Sequence, residues 1–351
     1  MSAFGIAVLG YAHGHVSTYS DRIKTYDDCR LVACWDHDEA RCSERATHYE
    51  IEGSTILEDI VSRDDVQLCI VGVETNRHAD VVVAAAEAGK DVILQKPMAL
   101  SLADCDRIIE AVERTGIWFS LAFQMRYDPP NVTMKQLVDS GEVGRVGIIR
   151  RRHCLSLLFN PDFVSGPTAW HLDPVQNMGM WMDDASHAAD WLYWMLGEPV
   201  SVMAEIDNIL SDVAPDDTGL AIYRFQNGAV GDLMNSSVVW AAESTVEIYG
   251  DQGVILENYG DGPSCAIPPP PGAVMLKMYQ QGKSALGWLV LPAVIPSSQG
   301  PRIANVTRNI LDEYKAGTVQ VSARDGKVST GMILGAYQSA REGRRVALPL
   351  S

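Results

Sequence analysis

The sequence FGIAVLGYAHGH at residues 4–15 decides how the first third of this chain is interpreted. Its first six residues form a continuous apolar run before a glycine, which is typical of a buried parallel strand that ends in a tight turn. In a dinucleotide-binding turn, the pattern G-x-G-x-x-G lets backbone N–H groups approach a pyrophosphate. Here Gly10 keeps the first position, Ala12 takes the second, and Gly14 comes one residue early. The turn alone therefore fits a dinucleotide site and an ordinary strand-to-helix connection equally well.

The segments that follow this turn alternate between strand and helix patterns. Further apolar runs lie at residues 31–35, 66–73, 91–94 and 118–122. Helical patterns cover residues 78–88, which a glycine follows, and 101–115, which Ser-Leu-Ala-Asp opens in the manner of a capping box. Strands that alternate with such helices indicate βαβ units and a parallel sheet covered on both faces. We therefore predict an α/β dinucleotide-binding domain over residues 1–123.

The rest of the chain, residues 124–351, has a different pattern. Strands with alternating polar and apolar residues are predicted at 146–154, 201–206, 219–225, 229–236 and 244–249. Short turns, among them Gln226-Asn227-Gly228, connect several of these strands and indicate antiparallel neighbours. Helical patterns cover residues 131–140, 183–196, 303–316 and 329–342. The prediction for this part is an α+β domain with one large, mostly antiparallel sheet.

Composition limits the partners of the protein. The 351 residues include 28 Lys+Arg and 45 Asp+Glu, which gives a formal net charge of −17. This acidic balance argues against a broad nucleic-acid surface, because phosphate binding needs clustered cations. No apolar run approaches the roughly 20 residues that span a bilayer.

The cysteines are scattered without a C-x-x-C pair, at Cys29, Cys34, Cys42, Cys69, Cys105, Cys154 and Cys265. Unpaired thiols fit a reducing compartment, so we expect a cytoplasmic protein that binds neither membrane nor nucleic acid.

Asp36 directly follows the second predicted strand and bears on the choice of dinucleotide. An acid about 20 residues beyond the glycine turn accepts hydrogen bonds from the ribose hydroxyls of NAD, and it repels the 2′-phosphate of NADP. Asp36 therefore favours NAD, although the nearby Arg41 leaves room for the phosphate. The alternative is a solvated carboxylate in a turn.

Lys96 follows the fourth predicted strand in the sequence Gln95-Lys96-Pro97. Ligands of parallel α/β sheets bind beyond the carboxyl ends of the strands, so this lysine is expected to point into the cofactor cleft. The alternative is an ordinary surface charge in a loop.

Asp183, His187 and Asp190 have the spacing i, i+4 and i+7, which places all three on one face of a helix. A histidine flanked by carboxylates is a good general base. The same residues would also suit a divalent metal, with a further ligand from His153 or His171. A third interpretation is a polar helix face with an incidental ion pair. The sequence leaves all three open.

Segments along nearly the whole chain resemble the Gfo/Idh/MocA oxidoreductases. Beyond the glycine turn, the resemblance rests on VETNRH (73–78), QKP (95–97), FQMRYDP (123–129), GEVGRVG (141–147), WHLDP (170–174), the helix start within 178–190, and AYQSAREGRRV (336–346). No single segment is decisive, but their order and spacing make the combination specific.

The resemblance implies an N-terminal Rossmann domain that binds NAD and a C-terminal domain whose open-faced sheet makes oligomer contacts. Lys96 would hydrogen-bond the reacting hydroxyl and stabilise its developing charge, His187 would accept the proton, and Asp183 would hold the substrate or the base. The expected cofactor-binding residues are Gly10, Ala12, His13, Asp36, Thr75, Asn76, His78, Gln95 and Lys96. The expected substrate-binding residues are Arg126, Tyr127, Arg152, His153, Trp170, His171, Asp183 and His187. No metal is expected.

Three features depart from the family pattern. Gln95 stands where the motif has Glu, which removes a negative charge beside Lys96. The phosphate turn is reshaped by Ala12 and the early Gly14, and His171 stands where Arg is common.

These observations predict an NAD-dependent oxidoreductase that transfers a hydride between nicotinamide and a secondary alcohol or ketone of a sugar, glycoside or cyclitol. We expect it to be a homo-oligomer of two or four chains. One alternative is an NAD-dependent glycosidase that works by transient oxidation, elimination and re-reduction. Another is a non-catalytic NAD-binding regulator, which Gln95 and the altered turn favour and the retained Lys96, Asp183 and His187 oppose.

Overall fold

The first sheet is formed by the apolar runs of the N-terminal third. This computed structural model describes residues 3–260, 267–293 and 299–350. The strands of the first sheet are β1 (Phe4–Leu9), β2 (Cys29–Trp35), β3 (Glu52–Ser54), β4 (Leu68–Val71), β5 (Asp91–Leu94) and β6 (Phe119–Leu121). They lie in the order β3-β2-β1-β4-β5-β6, and all neighbouring pairs are parallel. This is the strand order of a dinucleotide-binding Rossmann fold, so the predicted parallel sheet is confirmed.

Helices connect these strands and cover the sheet. They are α1 (Gly14–Ile23), α2 (Glu39–Tyr49), α3 (Leu57–Val61), α4 (His78–Glu87) and α5 (Leu102–Thr115). The predicted start of α5 is confirmed, because the Ser101 hydroxyl accepts a hydrogen bond from the Asp104 amide at 3.1 Å. The short strand β3 was not predicted, because it lies at the edge of the sheet and has no apolar run.

The second sheet has strands β7 (Val146–Cys154), β8 (Pro199–Asp207), β9 (Thr218–Phe225), β10 (Val230–Ser236), β11 (Ser244–Gly250), β12 (Gly253–Asn258), β13 (Leu276–Gln280), β14 (Leu289–Leu291) and β15 (Val346–Ala347). Their order is β14-β13-β12-β11-β7-β10-β9-β8-β15. Neighbours are antiparallel except for β7 and β10, which are parallel. The large, mostly antiparallel sheet is thus confirmed.

The later helices are α6 (Pro129–Asp139), α7 (Pro161–Ser165), α8 (Met180–Asp183), α9 (Ala185–Leu196), α10 (Gln299–Ala316) and α11 (Ala323–Glu342). Helix α10 packs against α1, and its residues Ile303, Val306, Ile310 and Leu311 join the hydrophobic core of the first sheet. The predicted division at residue 123 therefore describes the order of the two sheets along the chain, but the C-terminal segment returns to the first core.

Strand β7 shows that the two faces of the second sheet have different surroundings. Arg151 and His153 are buried against α9, where they contact the rings of Trp191 and His187. Successive side chains of a strand point to opposite faces. Arg152 therefore lies on the open face, next to Met234 of β10. The structure does not place it in the predicted substrate wall beside His153.

The six cysteines within the described residues are buried free thiols, and Cys265 lies outside the described residues. Within the described ranges, no helix combines the length and the apolar character that a bilayer crossing requires.

Candidate active site

The glycine turn lies at the carboxyl ends of β1 and β4, the edge at which parallel α/β sheets bind their ligands, and this region is called the cleft. Gly10 has φ +91°, and a Cβ there would lie 2.3 Å from the Val73 side chain. A Cβ on Gly72 would lie 2.2 Å from the Val16 side chain. The early Gly14 is different, because an added Cβ would meet nothing within 4 Å. Gly10 thus keeps the tight turn of a dinucleotide-binding motif, whereas Ala12 stands where the second glycine of the motif lets the backbone approach a pyrophosphate.

Lys96 and Asp183 form a buried ion pair at the end of β5. The Lys96 ammonium donates to Asp183 Oδ1 at 3.0 Å and to the Asp183 backbone oxygen at 3.3 Å, and both residues are at most 3% exposed. Burial alone would raise the pKa of Asp183, but the attraction of the Lys96 charge outweighs it and lowers the pKa to about 2. Asp183 is thus the counter-ion of Lys96, and this buried lysine is not an ordinary surface charge in a loop.

Three histidines from two segments surround this ion pair. His13 directly precedes α1 and His15 lies in its first turn, and their rings lie 4.4 Å apart. The His171 ring lies 5.5 Å from that of His13. Burial lowers the pKa of His13 well below its usual value, that of His15 to about 3, and that of His171 below its usual range. The three imidazoles are therefore neutral at pH 7.

The tautomer of His171 follows from its hydrogen bond. Its Nδ1 lies 2.7 Å from the backbone oxygen of Thr168, which can only accept, so Nδ1 carries the proton. The Nε2 atom of His171 is thus a proton acceptor in the cleft. His171 was predicted as part of the substrate wall, and Trp170 stacks on it at 3.7 Å while donating to the Ala12 backbone oxygen at 3.1 Å.

The predicted cluster of Asp183, His187 and Asp190 is not formed as one group. Asp190 accepts two hydrogen bonds from Arg126, at 2.6 and 2.9 Å, in a buried bidentate ion pair. Because this ion pair holds Arg126 in the protein interior, Arg126 does not lie in the substrate wall, where it was predicted. His187 lies on α9 with its ring 5.5 Å from that of His153.

A different set of residues has metal-binding composition. Ligand atoms of His13, His171 and Asp183 all lie within 4.8 Å of one another. The Lys96 ammonium already neutralises the Asp183 carboxylate, however, and His13 Nδ1 accepts a hydrogen bond from the His15 amide at 3.3 Å. This hydrogen bond leaves the neutral His13 with its proton on Nε2, which is then a donor and not a ligand.

Asp184 and Asn235 are buried polar residues that the sequence did not single out. Asp184 accepts a hydrogen bond from the Ser237 hydroxyl at 2.9 Å. Burial and the neighbouring Asp183 charge raise the pKa of Asp184 to about 7. Asn235 pairs with His153 across β10 and β7, and its amide atoms are buried without hydrogen bonds among the described residues. Asp184 lies within the segment 178–190 and Asn235 in a predicted strand, but the sequence pattern did not show that either side chain would be buried.

Asp36 lies at the end of β2, as predicted, and is fully buried. Its carboxylate accepts from the Tyr11 and Asp38 amides at 2.9 and 3.0 Å. It also accepts from Arg41 at 2.6 and 2.8 Å, and Arg41 in turn reaches Glu74 at 3.1 Å. Glu74 was missed, although it follows β4 at the same edge of the sheet and the rule on strand ends would have found it.

Other predicted cofactor residues make contacts that hold the cleft together. Thr75 donates to the Asn177 side chain at 2.7 Å, and the Asn76 amide donates to the Gln176 backbone oxygen at 3.1 Å. The His78 ring is buried between backbone oxygens of the loops after β4 and β5. Gln95 is buried beside His15 and Tyr19.

Tyr127, predicted for the substrate wall, also contacts another part of the protein. Its hydroxyl donates to Glu313 of α10 at 3.2 Å. Trp170, His171 and the Lys96–Asp183 pair lie close together at the cleft, whereas Arg126 and Tyr127 contact other parts of the protein and Arg152 lies on the open face of the second sheet.

Comparisons with known proteins agree with this architecture. Myo-inositol 2-dehydrogenase of Thermotoga maritima is 28% identical over 262 residues, which cover 72% of this chain and 75% of that protein. Inositol 2-dehydrogenase of Salmonella typhimurium is 35% identical over 152 residues, which cover 42% of this chain and 44% of that protein. A solved structure of levoglucosan dehydrogenase with NADH and levoglucosan superposes with a TM-score of 0.81 at 20% identity, covering 99% and 100% of the two chains.

Family models match both parts of the chain. Residues 4–123 match the oxidoreductase family with an NAD-binding Rossmann fold, and residues 131–256 match the GFO/IDH/MocA C-terminal domain. Together with the two sheets and the buried lysine after β5, these matches show that the chain belongs to the Gfo/Idh/MocA family of NAD-binding oxidoreductases.

Proposed function

We propose that this protein is an NAD-dependent dehydrogenase or reductase that acts on a secondary alcohol or ketone of a sugar, glycoside or cyclitol. The observation that carries the proposal is the buried Lys96–Asp183 ion pair at the carboxyl end of β5. The relatives named for inositol and levoglucosan oxidation support this substrate class. Trp170, stacked on His171 at the cleft, offers an aromatic surface for the apolar face of a ring.

Lys96 and Asp183 have different roles in the proposed hydride transfer. When bound, NAD supplies the hydride acceptor or donor at nicotinamide C4. Lys96 donates a hydrogen bond to the substrate oxygen and stabilises the negative charge that develops there during oxidation. Asp183 keeps the ammonium charged and oriented, and its low pKa means that it stays ionised at neutral pH.

His187 is the proposed proton acceptor, and the geometry adds His171 as a second imidazole for this step. Hydride removal from an alcohol carbon leaves a proton on oxygen, so the site needs a neutral base. His171 is neutral with an unprotonated Nε2, and one of its ring nitrogens lies within 4.8 Å of a carboxylate oxygen of Asp183. His187 lies one helical turn beyond Asp183, beside His153.

The test is the substitution Lys96→Ala, assayed with NAD and a panel of pyranosides and inositols. We expect kcat on the best substrate to fall by about 10²–10³-fold, because a donor to the developing charge is lost. Lys24→Ala, an exposed lysine on the first domain, is the matched control. Turnover by the Lys96 variant within a fewfold of the wild type would contradict the proposed role.

The same assay separates net oxidation from glycoside cleavage. A dehydrogenase forms one NADH for each substrate oxidised, and the absorbance of NADH rises in proportion to product. Release of aglycone with a catalytic amount of NAD and no accumulation of NADH would show the redox-neutral glycosidase reaction. NADH binding without turnover on any sugar would favour the regulator.

A further inference from the structure

The carboxylate expected to bind the adenine ribose is already saturated with hydrogen bonds. A carboxylate has about four acceptor positions. Asp36 Oδ2 accepts from the Tyr11 amide and from Arg41 Nε, and Oδ1 accepts from the Asp38 amide and from Arg41 Nη2. A ribose hydroxyl can therefore hydrogen-bond Asp36 only if one of these donors leaves.

Arg41 is the donor that is free to move. The Tyr11 and Asp38 amides belong to the backbone at the ends of β1 and β2, so their positions are fixed by the sheet. Arg41 is a long side chain on the first turn of α2, and 18% of its surface is exposed. Its displacement from Asp36 frees one acceptor position on each carboxylate oxygen.

Glu74 offers Arg41 a second position. The Arg41 Nη2 atom already lies 3.1 Å from Glu74 Oε1. Glu74 Oε2 is buried and has no hydrogen bond among the described residues. The His37 and Arg77 nitrogens approach Oε2 only to 3.5 and 3.8 Å, which is beyond a good hydrogen bond. A small movement of the guanidinium would replace its bidentate pair with Asp36 by a bidentate pair with Glu74.

We propose that Arg41 alternates between these two carboxylates: it occupies the ribose-binding side of Asp36 in the free protein and moves to Glu74 when NAD binds. Glu74 is then a positioning residue for cofactor binding, because it compensates the charge of Arg41 after the guanidinium has left Asp36. The proposal rests on the NAD-binding part of the proposed function and not on the identity of the substrate.

The test measures NADH binding to the full chain by isothermal titration and NADH fluorescence, without substrate. Glu74→Gln removes the second anionic position and is expected to raise the Kd for NADH by about tenfold. Arg41→Met keeps the apolar stem but removes the competing guanidinium, so its Kd is expected to equal that of the wild type or be lower. In the double variant the Glu74 change should then have no further effect. Arg45→Met, one turn later on α2, is the matched control.

Two outcomes would overturn the proposal. One is a Kd for Glu74→Gln within twofold of the wild type. The other is a tenfold weakening by Glu74→Gln in the Arg41→Met background, which would show that Glu74 acts independently of Arg41. Glu74→Asp keeps the charge and should restore most of the binding, and thermal unfolding of each variant shows whether it is folded at the assay temperature.

The binding assay also separates this proposal from the function of the site. The expected pattern without turnover of any sugar would support the movement of Arg41 and contradict the proposed reaction. Turnover of a sugar by a protein whose Kd does not depend on Glu74 would support the reaction and contradict the movement. A structure of the NADH complex with Arg41 still bidentate on Asp36 would also contradict it.

Discussion

Lys96 and Asp183 are costly residues to bury, and this cost bears on their role. Removing two charges from water carries a desolvation penalty that their attraction offsets only when the geometry is good. The pair has one ammonium-to-carboxylate contact at 3.0 Å, and its other neighbours include the neutral imidazoles of His13 and His171. In proteins, the replacement of a buried ion pair by apolar residues of similar volume is often neutral or stabilising. Retaining the charges in a cleft is therefore better explained by the chemistry they perform.

The two candidate bases, His171 and His187, can be separated by their pH profiles. We expect His187→Ala to lower kcat by about 10²–10⁴-fold and to remove the fall in kcat/KM at acidic pH, because the unprotonated imidazole accepts the substrate proton. His171→Ala should mainly raise KM and leave that fall in place. His48→Ala, an exposed histidine on α2, is the control. A profile that loses its acidic limb only in the His171 variant would assign the base to His171.

The different partners of Asp183 and Asp190 explain why the predicted helical face does not form one cluster, because the backbone at Asp184, between α8 and α9, is still right-handed helical. The sequence predicts one helix over residues 183–196, but α8 ends at Asp183 and α9 begins at Ala185. Each carboxylate then meets a different cation: Asp183 meets Lys96, and Asp190 meets Arg126. Helical spacing could identify these residues as a group, but it could not show which partner each would find across the cleft.

Asp184, between α8 and α9, should make stability depend on pH. Its folded pKa of about 7 exceeds the ordinary value of 3.8, so its contribution to stability is complete below about pH 3.8 and is lost as the pH rises to about 7. Asp184→Asn mimics the protonated form and can still accept from Ser237. We expect the variant to exceed the wild type in free energy of unfolding by about 1–3 kcal/mol at pH 8 and to match it near pH 4. Urea denaturation at both pH values measures this, and equal differences at the two values would contradict it.

The strands show which elements can be predicted from sequence patterns and which cannot. Strands β1 and β5 have the predicted ends, because both are continuous apolar runs buried on two faces. Strand β3 has three residues at an exposed edge, so nothing in its sequence distinguishes it from a loop. Arg152 illustrates a third case. Its strand was predicted correctly, and the alternation along a strand already places Arg152 and His153 on opposite faces, but the sequence does not show that the face of His153 packs against α9.

The segment before α8, which contains Trp170 and Asn177, joins the two domains across the cleft. Trp170 donates to the Ala12 backbone oxygen, and Thr75 donates to Asn177. These contacts link the glycine turn and the loop after β4 to the second domain. They were not predictable from either segment alone, because each partner lies about 100 residues or more away in the sequence. The site is thus a property of the assembled pair of domains.

We propose that the open face of the second sheet forms the contact between copies of this chain. Ile148, Leu220, Ile222 and Tyr249 are exposed on this face, each by more than a third, while Arg150 pairs with Asp232 and Glu247 among them. Nine strands about 4.8 Å apart give a face roughly 40 Å wide, which suits the roughly 800 Å² per partner of a stable interface. The mixture of apolar residues and both charge signs allows the face to pair with itself about a twofold axis.

Light scattering after size exclusion should show an oligomer for the wild type and a monomer for Leu220→Glu, with Ile56→Glu on the first domain as control. A monomeric wild type, or a Leu220 variant that stays oligomeric, would contradict this assignment.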